Sequence, residues 1–135
     1  MAEEAVVKEV LAEDKIAAGK ELTAALDETS LRPTSAYWFY YPDANTWRLM
    51  YVAAMVADEG PRRAYAIIQK ALTKILKDDQ ELSLQEIGVV EPGNPLVRLL
   101  ASAIHTGDGI YGVRFSRNTI NGQFIEDAYI YRMTD

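Results

Sequence analysis

The sequence predicts one α+β domain over residues 1–135, in which two hairpins build an antiparallel sheet of about four to five strands. Two aromatic and β-branched runs flank a Pro-Asp-Ala-Asn turn at 42–45. Two further alternating runs flank Asn121-Gly122, the strongest short-range hairpin signal. Helical periodicity accounts for three other segments, and we expect these helices mostly on one face of the sheet. A meander with helices on both faces is the alternative.

An acidic helix is predicted at about residues 3–27. Charged residues at 13–15 and Gly19 interrupt its apolar stripe, which predicts a bend or incomplete packing. Residues 1–29 hold eight acids against three lysines, so they carry most of the net charge of −6. The ordinary interpretation is a helix that covers the sheet, and the alternative is an arm that docks on another chain. The sequence does not determine which face of the sheet this helix covers. The apolar stripe consists of Val7, Leu11, Ala18, Leu22 and Ala25.

The first hairpin, over residues 36–54, carries aromatic side chains on both faces. Alternation along the strand separates Trp38 and Tyr40 from Tyr37 and Phe39. Its loop holds three or four residues, so the register of the two strands stays open.

The strongest helix prediction covers residues 58–79. Pro61 occupies the first helical position, with Asp58 or Glu59 near the cap, and lysines form the solvated side. The predicted core stripe consists of Ala64, Ile68, Leu72, Ile75 and Leu76.

Residues 83–91 are ambiguous between helix and strand. Ser83 with Glu86 fits a capping box for one short turn, after which 88–91 fit a short strand. The next helix is clearer, because Asn94 suits its cap and Pro95 its first position. It is expected to end near Ile104, before a glycine-rich turn.

The register of the last hairpin follows from Asn121-Gly122, because both central residues of a type I′ turn need positive φ. Ile120 then pairs with Gln123, and one face pairs Arg117 with Glu126, Phe115 with Ala128, Val113 with Ile130, and Tyr111 with Arg132. The other face pairs Gly112 with Tyr131, Arg114 with Tyr129, and Ser116 with Asp127. The predicted packed side consists of Tyr111, Val113, Phe115, Phe124, Ala128 and Ile130. The predicted uncovered side consists of Arg114, Gln123, Asp127, Tyr129 and Tyr131, with Ile110, Ile125 and Met133.

The amino-acid composition favours some classes of protein and partner over others. An apolar share of 49% and a charged share of 25% are typical of a soluble globular domain. No apolar run approaches the ~20 residues that span a bilayer, and the first residues do not resemble a signal peptide. Cysteine is absent, and a cytoplasmic location is expected. The acidic total argues against duplex DNA or an anionic membrane as the main partner, since both require a surplus of positive charge.

A search for catalytic or metal-binding motifs leaves no strong candidate, so no cofactor and no metal are expected. His105 lies at a helix end, where a cation complements the helix dipole. Glu126 and Asp127 are neighbours on a strand, so they point to opposite faces and do not share a ligand. Arg62-Arg63 at a helix start could hold an anion, but a solvated pair is the commoner arrangement.

The favoured hypothesis is a non-enzymatic protein-interaction or assembly domain, whose partner is another protein or a second copy in a homodimer. Its expected contact residues are Arg114, Asp127, Tyr129 and Tyr131, because tyrosine and arginine concentrate in interface hot spots. The first alternative is a small enzyme or ligand-binding domain with a pocket between sheet and helices. That pocket would use Arg114, Asp127, Tyr129 or His105. Binding of single-stranded nucleic acid is the third possibility.

Overall fold

A computed structural model describes residues 7–75 and 82–135. It confirms the α+β class. In chain order the elements are α1 (Glu13–Leu26), β1 (Ser35–Tyr41), β2 (Thr46–Val52), α2 (Ala54–Glu59), α3 (Pro61–Ile75), β3 (Ile87–Val90), α4 (Pro95–Ala101), β4 (Val113–Ile120) and β5 (Gln123–Met133).

The strands form a single five-stranded sheet in the order β3-β2-β1-β5-β4. Both predicted hairpins are present, and they join through the antiparallel pair of β1 and β5. The pair of β2 and β3 is parallel, whereas the sequence predicted only antiparallel pairing. This follows from the chain path, because a helical connection between neighbouring strands returns the chain in the same direction.

Helices lie on both faces of the sheet, with the longer ones on one side. One hydrophobic cluster joins α1, α2 and α3 to the face that carries Trp38 and Tyr51. A second cluster packs α4 against the face that carries Tyr37 and Ile130. The prediction that the helices lie mostly on one face of the sheet therefore holds for α1 to α3, while α4 covers the opposite face.

Helix α1 is shorter than predicted. It begins at Glu13, and residues 7–12 precede it without helical structure, while positions 3–6 lie outside the described residues. Gly19 was predicted to weaken the packing, but it is buried where α1 lies against the side chains of Tyr131 and Trp38. A Cβ atom at Gly19 would lie 2.4 Å from the hydroxyl of Tyr131 and 3.0 Å from Trp38 Nε1. Glycine is therefore the residue that allows this contact.

The predicted starts of α3, β3 and α4 are confirmed, whereas Asp58 and Glu59, expected near the cap of α3, belong to the separate helix α2. Pro61 begins α3, and Ala64, Ile68 and Leu72 are buried, whereas Leu76 lies outside the described residues. The capping box of Ser83 and Glu86 precedes β3, so residues 83–91 contain a short turn followed by a strand. The side chain of Asn94 accepts hydrogen bonds from the first backbone amides of α4.

The register of the β4–β5 hairpin is confirmed. Asn121 and Gly122 have φ values of 49° and 81°, as a type I′ turn requires. Ile120 pairs with Gln123, and the same register continues to Val113 and Ile130. The sequence left the register of the first hairpin undetermined. In the structure this hairpin has a four-residue loop, and Tyr41 lies opposite Thr46.

The assignment of side chains to the two faces needs three corrections. Arg117 has a φ of 45°, and beyond this irregularity Ile120 and Ile125 pack with the cluster of α4. A register shift between β1 and β5 brings Met133 into the same cluster. The predicted ion pair of Arg117 with Glu126 is not formed, and Glu126 lies 3.7 Å from the ammonium of Lys8.

Two aromatic residues of the predicted packed side are exposed. Tyr111 is 48% exposed and Phe124 is 61% exposed, although Ala128 and Ile130 are buried as predicted. The alternation of side chains explains the exposure of Phe124, because its neighbour Ile125 packs in the cluster of α4. Tyr111 precedes β4 and lies beside residues of α1 rather than beneath α4. Gly112 precedes β4 and lies beneath the ring of Tyr129 rather than that of Tyr131.

Candidate functional site

The four predicted contact residues do lie together on the hairpin face that α1 covers, but they differ in accessibility. Tyr131 and Asp127 are buried, Tyr129 is half-buried, and the side chain of Arg114 is 48% exposed. The prediction of an uncovered face is therefore wrong for two of the four. The sequence pattern could not show this, because the covering residues come from the opposite end of the chain.

Asp127 is the centre of a charged cluster. Its two carboxylate oxygens accept hydrogen bonds from Arg114 Nε and Nη2, at 2.8 and 2.9 Å. The hydroxyl of Ser116 donates to the same carboxylate at 2.6 Å, and the ammonium of Lys8 at 2.7 Å. The β4–β5 register places Arg114 and Ser116 beside Asp127, since both lie on the neighbouring strand. Two cations thus surround one buried carboxylate.

Burial alone would raise the pKa of Asp127. The hydrogen bonds from Arg114, Lys8 and Ser116 outweigh that effect and hold the pKa well below its usual range. Asp127 is consequently ionised at neutral pH. It supplies a fixed negative charge, and it is a poor general base because its conjugate acid is strong.

Lys8 was not singled out in the sequence, yet it lies at the centre of this face. Its ammonium is 5.0 Å from the ring centroid of Tyr40 and 5.9 Å from that of Trp47. The guanidinium of Arg114 lies 5.6 Å from the Trp47 ring. Trp47 therefore contacts two cations, which its electron-rich face favours.

Residues 7–12, hereafter the N-terminal arm, contact the end of β1, the start of β2 and Asp127 of β5. Asn45 holds the arm through both groups of its amide. Its Oδ1 accepts from the backbone N–H of Glu9 at 2.8 Å, and its Nδ2 donates to the carbonyl of Val7 at 3.0 Å. The indole N–H of Trp47 donates to the carbonyl of Glu9 at 2.8 Å. The arm is thus bound mainly through its backbone and through Lys8.

Tyr131 serves the packing of α1. Its hydroxyl donates to the carbonyl of Ile16 at 2.6 Å and accepts from Trp38 Nε1 at 2.9 Å. Burial raises the pKa of Tyr131 above its usual range, so the hydroxyl stays protonated. Tyr131 is therefore a structural link between helix and sheet.

A groove of about 530 Å³ lies between the start of α1 and the hairpin. We call it the tyrosine groove. The exposed ring of Tyr111 and the half-buried ring of Tyr129 line it, and Tyr129 contacts Tyr131 edge-on with ring centroids 5.5 Å apart. Glu13 and Lys20 add one charge of each sign. The full lining consists of Glu13, Ile16, Ala17, Lys20, Ile110, Tyr111, Gly112, Tyr129 and Tyr131.

A second groove, of about 500 Å³, lies between α1 and α3. Four apolar residues, Ala25, Ile67, Ala71 and Ile75, line it together with Glu28, Thr29, Lys70 and Lys74.

The other residues considered from the sequence lie outside the tyrosine groove. His105 is exposed, with Nδ1 3.4 Å from the carbonyl of Met133. Arg63 forms an ion pair with Glu59, one turn earlier along the chain. Across residues 7–75 and 82–135, acidic and histidine side chains form no cluster that could hold a metal ion. In the same part of the chain, no helix combines the length and apolarity needed to cross a bilayer.

Arg132 is a buried arginine that sequence reasoning placed opposite Tyr111 and gave no partner of opposite charge. It forms a two-point ion pair with Asp27 at the end of α1, at 2.9 and 2.7 Å. It also donates to the backbone carbonyls of Pro33 and Gly109, both at 2.9 Å. Arg132 therefore joins α1, β5 and the loop before β4, and its role is structural.

Comparison with family models, with curated proteins and with solved structures gave no match.

Proposed function

We propose that this chain is a non-enzymatic protein-interaction or assembly domain, whose partner docks on the tyrosine groove and the adjoining Arg114. The carrying observation is the pairing of an exposed Tyr111 with a half-buried Tyr129 in one groove. Tyrosine and arginine are enriched where interface binding energy concentrates. Of the four residues expected from the sequence, Arg114 and Tyr129 would contact the partner, while Asp127 and Tyr131 would hold them in place.

The chemistry of the groove supports a protein partner. Ile16 and Ile110 provide apolar surface, and Glu13 and Lys20 are charged groups of opposite sign. An apolar centre with a polar margin is the usual composition of an interface. The partner is another protein or a second copy of this chain.

The edge of β4 extends this surface. In a hairpin closed by two turn residues, alternate residues direct their backbone groups outward, here Val113, Phe115, Arg117 and Thr119. The N–H of Thr119 is already bonded to Asn118 Oδ1 at 2.8 Å, and the positive φ of Arg117 interrupts the strand. The stretch from Val113 to Phe115 is therefore the part suited to pairing with a partner strand. It follows directly after Gly112 in the groove.

A small-molecule site is the second candidate. The volume of the groove lies within the range of about 300–1,000 Å³ that is typical of ligand pockets, and its lining offers tyrosine hydroxyls with one acid and one lysine. Binding of single-stranded nucleic acid ranks last, because Glu13 opposes the cation of Lys20 in the same groove. A cytoplasmic location stays a prediction.

Two variants test the proposal, one with residues of the groove replaced and one with an exposed aromatic residue outside it replaced. Tyr111→Ser with Lys20→Ser should fold and lose the partner in affinity capture from an extract of the source organism. Phe124→Ser is the matched control, since Phe124 is an exposed aromatic residue outside the groove. Sedimentation of the purified wild-type chain distinguishes a second copy from a different protein. Equal capture by the groove variant and the control would contradict the proposal.

A further inference from the structure

The contacts of the N-terminal arm have the geometry of peptide recognition. Asn45 bonds the carbonyl of Val7 and the N–H of Glu9, the two backbone groups on either side of Lys8. Backbone groups are the same in every sequence, so this clamp fixes an extended segment without regard to its flanking side chains. The side chain between them, that of Lys8, enters the cluster around Asp127.

The groups around the Lys8 ammonium favour a cation at this position. Asp127 accepts its hydrogen bond at 2.7 Å, Glu126 lies 3.7 Å away, and the Tyr40 ring provides a third side at 5.0 Å. A carboxylate combined with aromatic faces favours an ammonium over a neutral group. The arrangement is therefore a pocket for a lysine side chain.

The residues of this pocket are held in place by contacts that do not involve the arm. The hydroxyl of Tyr40 donates to Asn45 Oδ1 at 2.6 Å and so orients the amide of the clamp. Arg114 holds both oxygens of Asp127. The rings of Tyr40 and Trp47 lie 5.4 Å apart. Such preorganisation lowers the free energy lost on binding a ligand.

The arm itself is weakly committed to its observed conformation. Its residues have the pattern of a helix, yet residues 7–12 have no helical structure. Ala12 at the helix N-cap makes no side-chain capping bond, and Val7 and Val10 are 80% and 78% exposed. Leu11 is the buried apolar anchor of the described arm residues. The sequence of the arm favours a helix, whereas its contacts with the sheet hold it in another conformation. This conflict indicates a segment that can be released from the sheet.

We propose that Asn45, Trp47, Tyr40 and Asp127 form a binding site for an extended, lysine-bearing segment of a partner protein, and that the arm occupies this site as an intramolecular competitor. The acidic pair Glu126 and Asp127 selects a basic segment by charge. A tethered arm has an effective concentration of about millimolar, so the partner segment binds when the arm is weakened or displaced. Arg114 adjoins both sites, but none of the four pocket residues lines the tyrosine groove. The two tests replace different residues, so failure of either proposal leaves the other standing.

The test uses the full-length chain with Lys8→Ala and Glu9→Pro, which remove the ammonium and the N–H that Asn45 binds. The probe is a synthetic peptide, EAVVKEVLA, with the sequence of residues 4–12, and its control is EAVVAEVLA. We expect the variant to bind the lysine peptide at least ~10-fold more tightly than the alanine peptide, since a charge-assisted hydrogen bond is lost. Wild type should bind the lysine peptide at least ~10-fold more weakly than the variant does.

Two substitutions in the pocket, added to this variant, should abolish binding while keeping the fold. Asn45→Gly removes the clamp but tolerates the φ of 48° at this position. Trp47→Phe keeps an aromatic ring and removes the donor to the carbonyl of residue 9. Phe124→Ser is the control that should leave binding unchanged. The chemical shift of the Trp47 indole N–H reports occupancy in the proteins that keep Trp47, calorimetric titration measures binding to Trp47→Phe, and circular dichroism reports folding.

Three results would overturn the proposal: no binding of the lysine peptide to the folded arm variant, equal affinity for the two peptides, or unchanged affinity after Asn45→Gly. A wild-type dimer that Lys8→Ala dissociates would also overturn it, by identifying a second copy of the chain as the occupant.

Discussion

Arg114 and Asp127 form a two-point ion pair across the β4–β5 hairpin, with N–O distances of 2.8 and 2.9 Å. Arg114 is half exposed, while Asp127 is buried. The pair therefore connects the accessible surface to the interior. It also explains how a carboxylate remains charged beneath the N-terminal arm.

Removing Arg114 should destabilise the fold. Arg114→Ala leaves the carboxylate of Asp127 with only Lys8 and Ser116, and an incompletely bonded buried acceptor costs about 1–3 kcal/mol. Arg114→Lys should have an intermediate effect, because it keeps the charge but not the two-point geometry. Urea unfolding of the three proteins measures this order. Wild-type stability in Arg114→Ala would show that the ion pair contributes nothing to folding.

Acid should weaken the protein partly through Asp127. Its pKa is lowered in the folded state, so its charge contributes stability that is fully present above the unfolded pKa of about 3.9. That contribution is lost as pH falls through the lower folded value. Between about pH 5 and pH 2 the stability of Asp127→Asn should therefore fall less steeply than that of wild type. Parallel curves from unfolding at several pH values would assign the acid sensitivity to other carboxylates.

Gly19→Ala should destabilise α1, although alanine is the better helix former by about 1 kcal/mol. The new Cβ would lie 2.4 Å from the Tyr131 hydroxyl, which two hydrogen bonds hold in place. In a Tyr131→Phe background the same substitution should cost less, because the clashing oxygen is gone. Melting temperatures of the four proteins complete this double-mutant cycle. Additive effects would mean that α1 shifts away without strain.

Gly122→Val should lower the melting temperature by several degrees, the shift expected for a loss of ~1 kcal/mol in a domain of this size. Gly122 has a φ of 81°, and a β-branched side chain resists that conformation. Gly93→Val is the matched control, because a Cβ at Gly93 would meet only Oε1 of Glu91, at 3.9 Å, and Gly93 has no positive φ. Calorimetry of both variants checks the difference. Equal melting temperatures of Gly122→Val and Gly93→Val would argue against the type I′ turn.

The sequence by itself determined the features that depend on neighbouring residues. Asn121-Gly122 specified the turn and the register of β4 and β5, since few residues tolerate positive φ. Asn94 and Pro61 marked the starts of α4 and α3, because capping and the fixed φ of proline act within one turn of a helix.

Only the tertiary structure decided which hairpin face was covered and what covered it. The ion pair of Lys8 with Asp127 joins residues 119 positions apart, and no local pattern encodes such a contact. The same contact, with the clamp of Asn45, holds the arm in a non-helical conformation against the helical pattern of its own sequence. Gly19 interrupts the pattern of α1 yet permits its packing against Tyr131, because the hydroxyl of Tyr131 occupies the space of a side chain. Packing between distant residues outweighs local propensity, which differs by less than about 1 kcal/mol among residues other than proline.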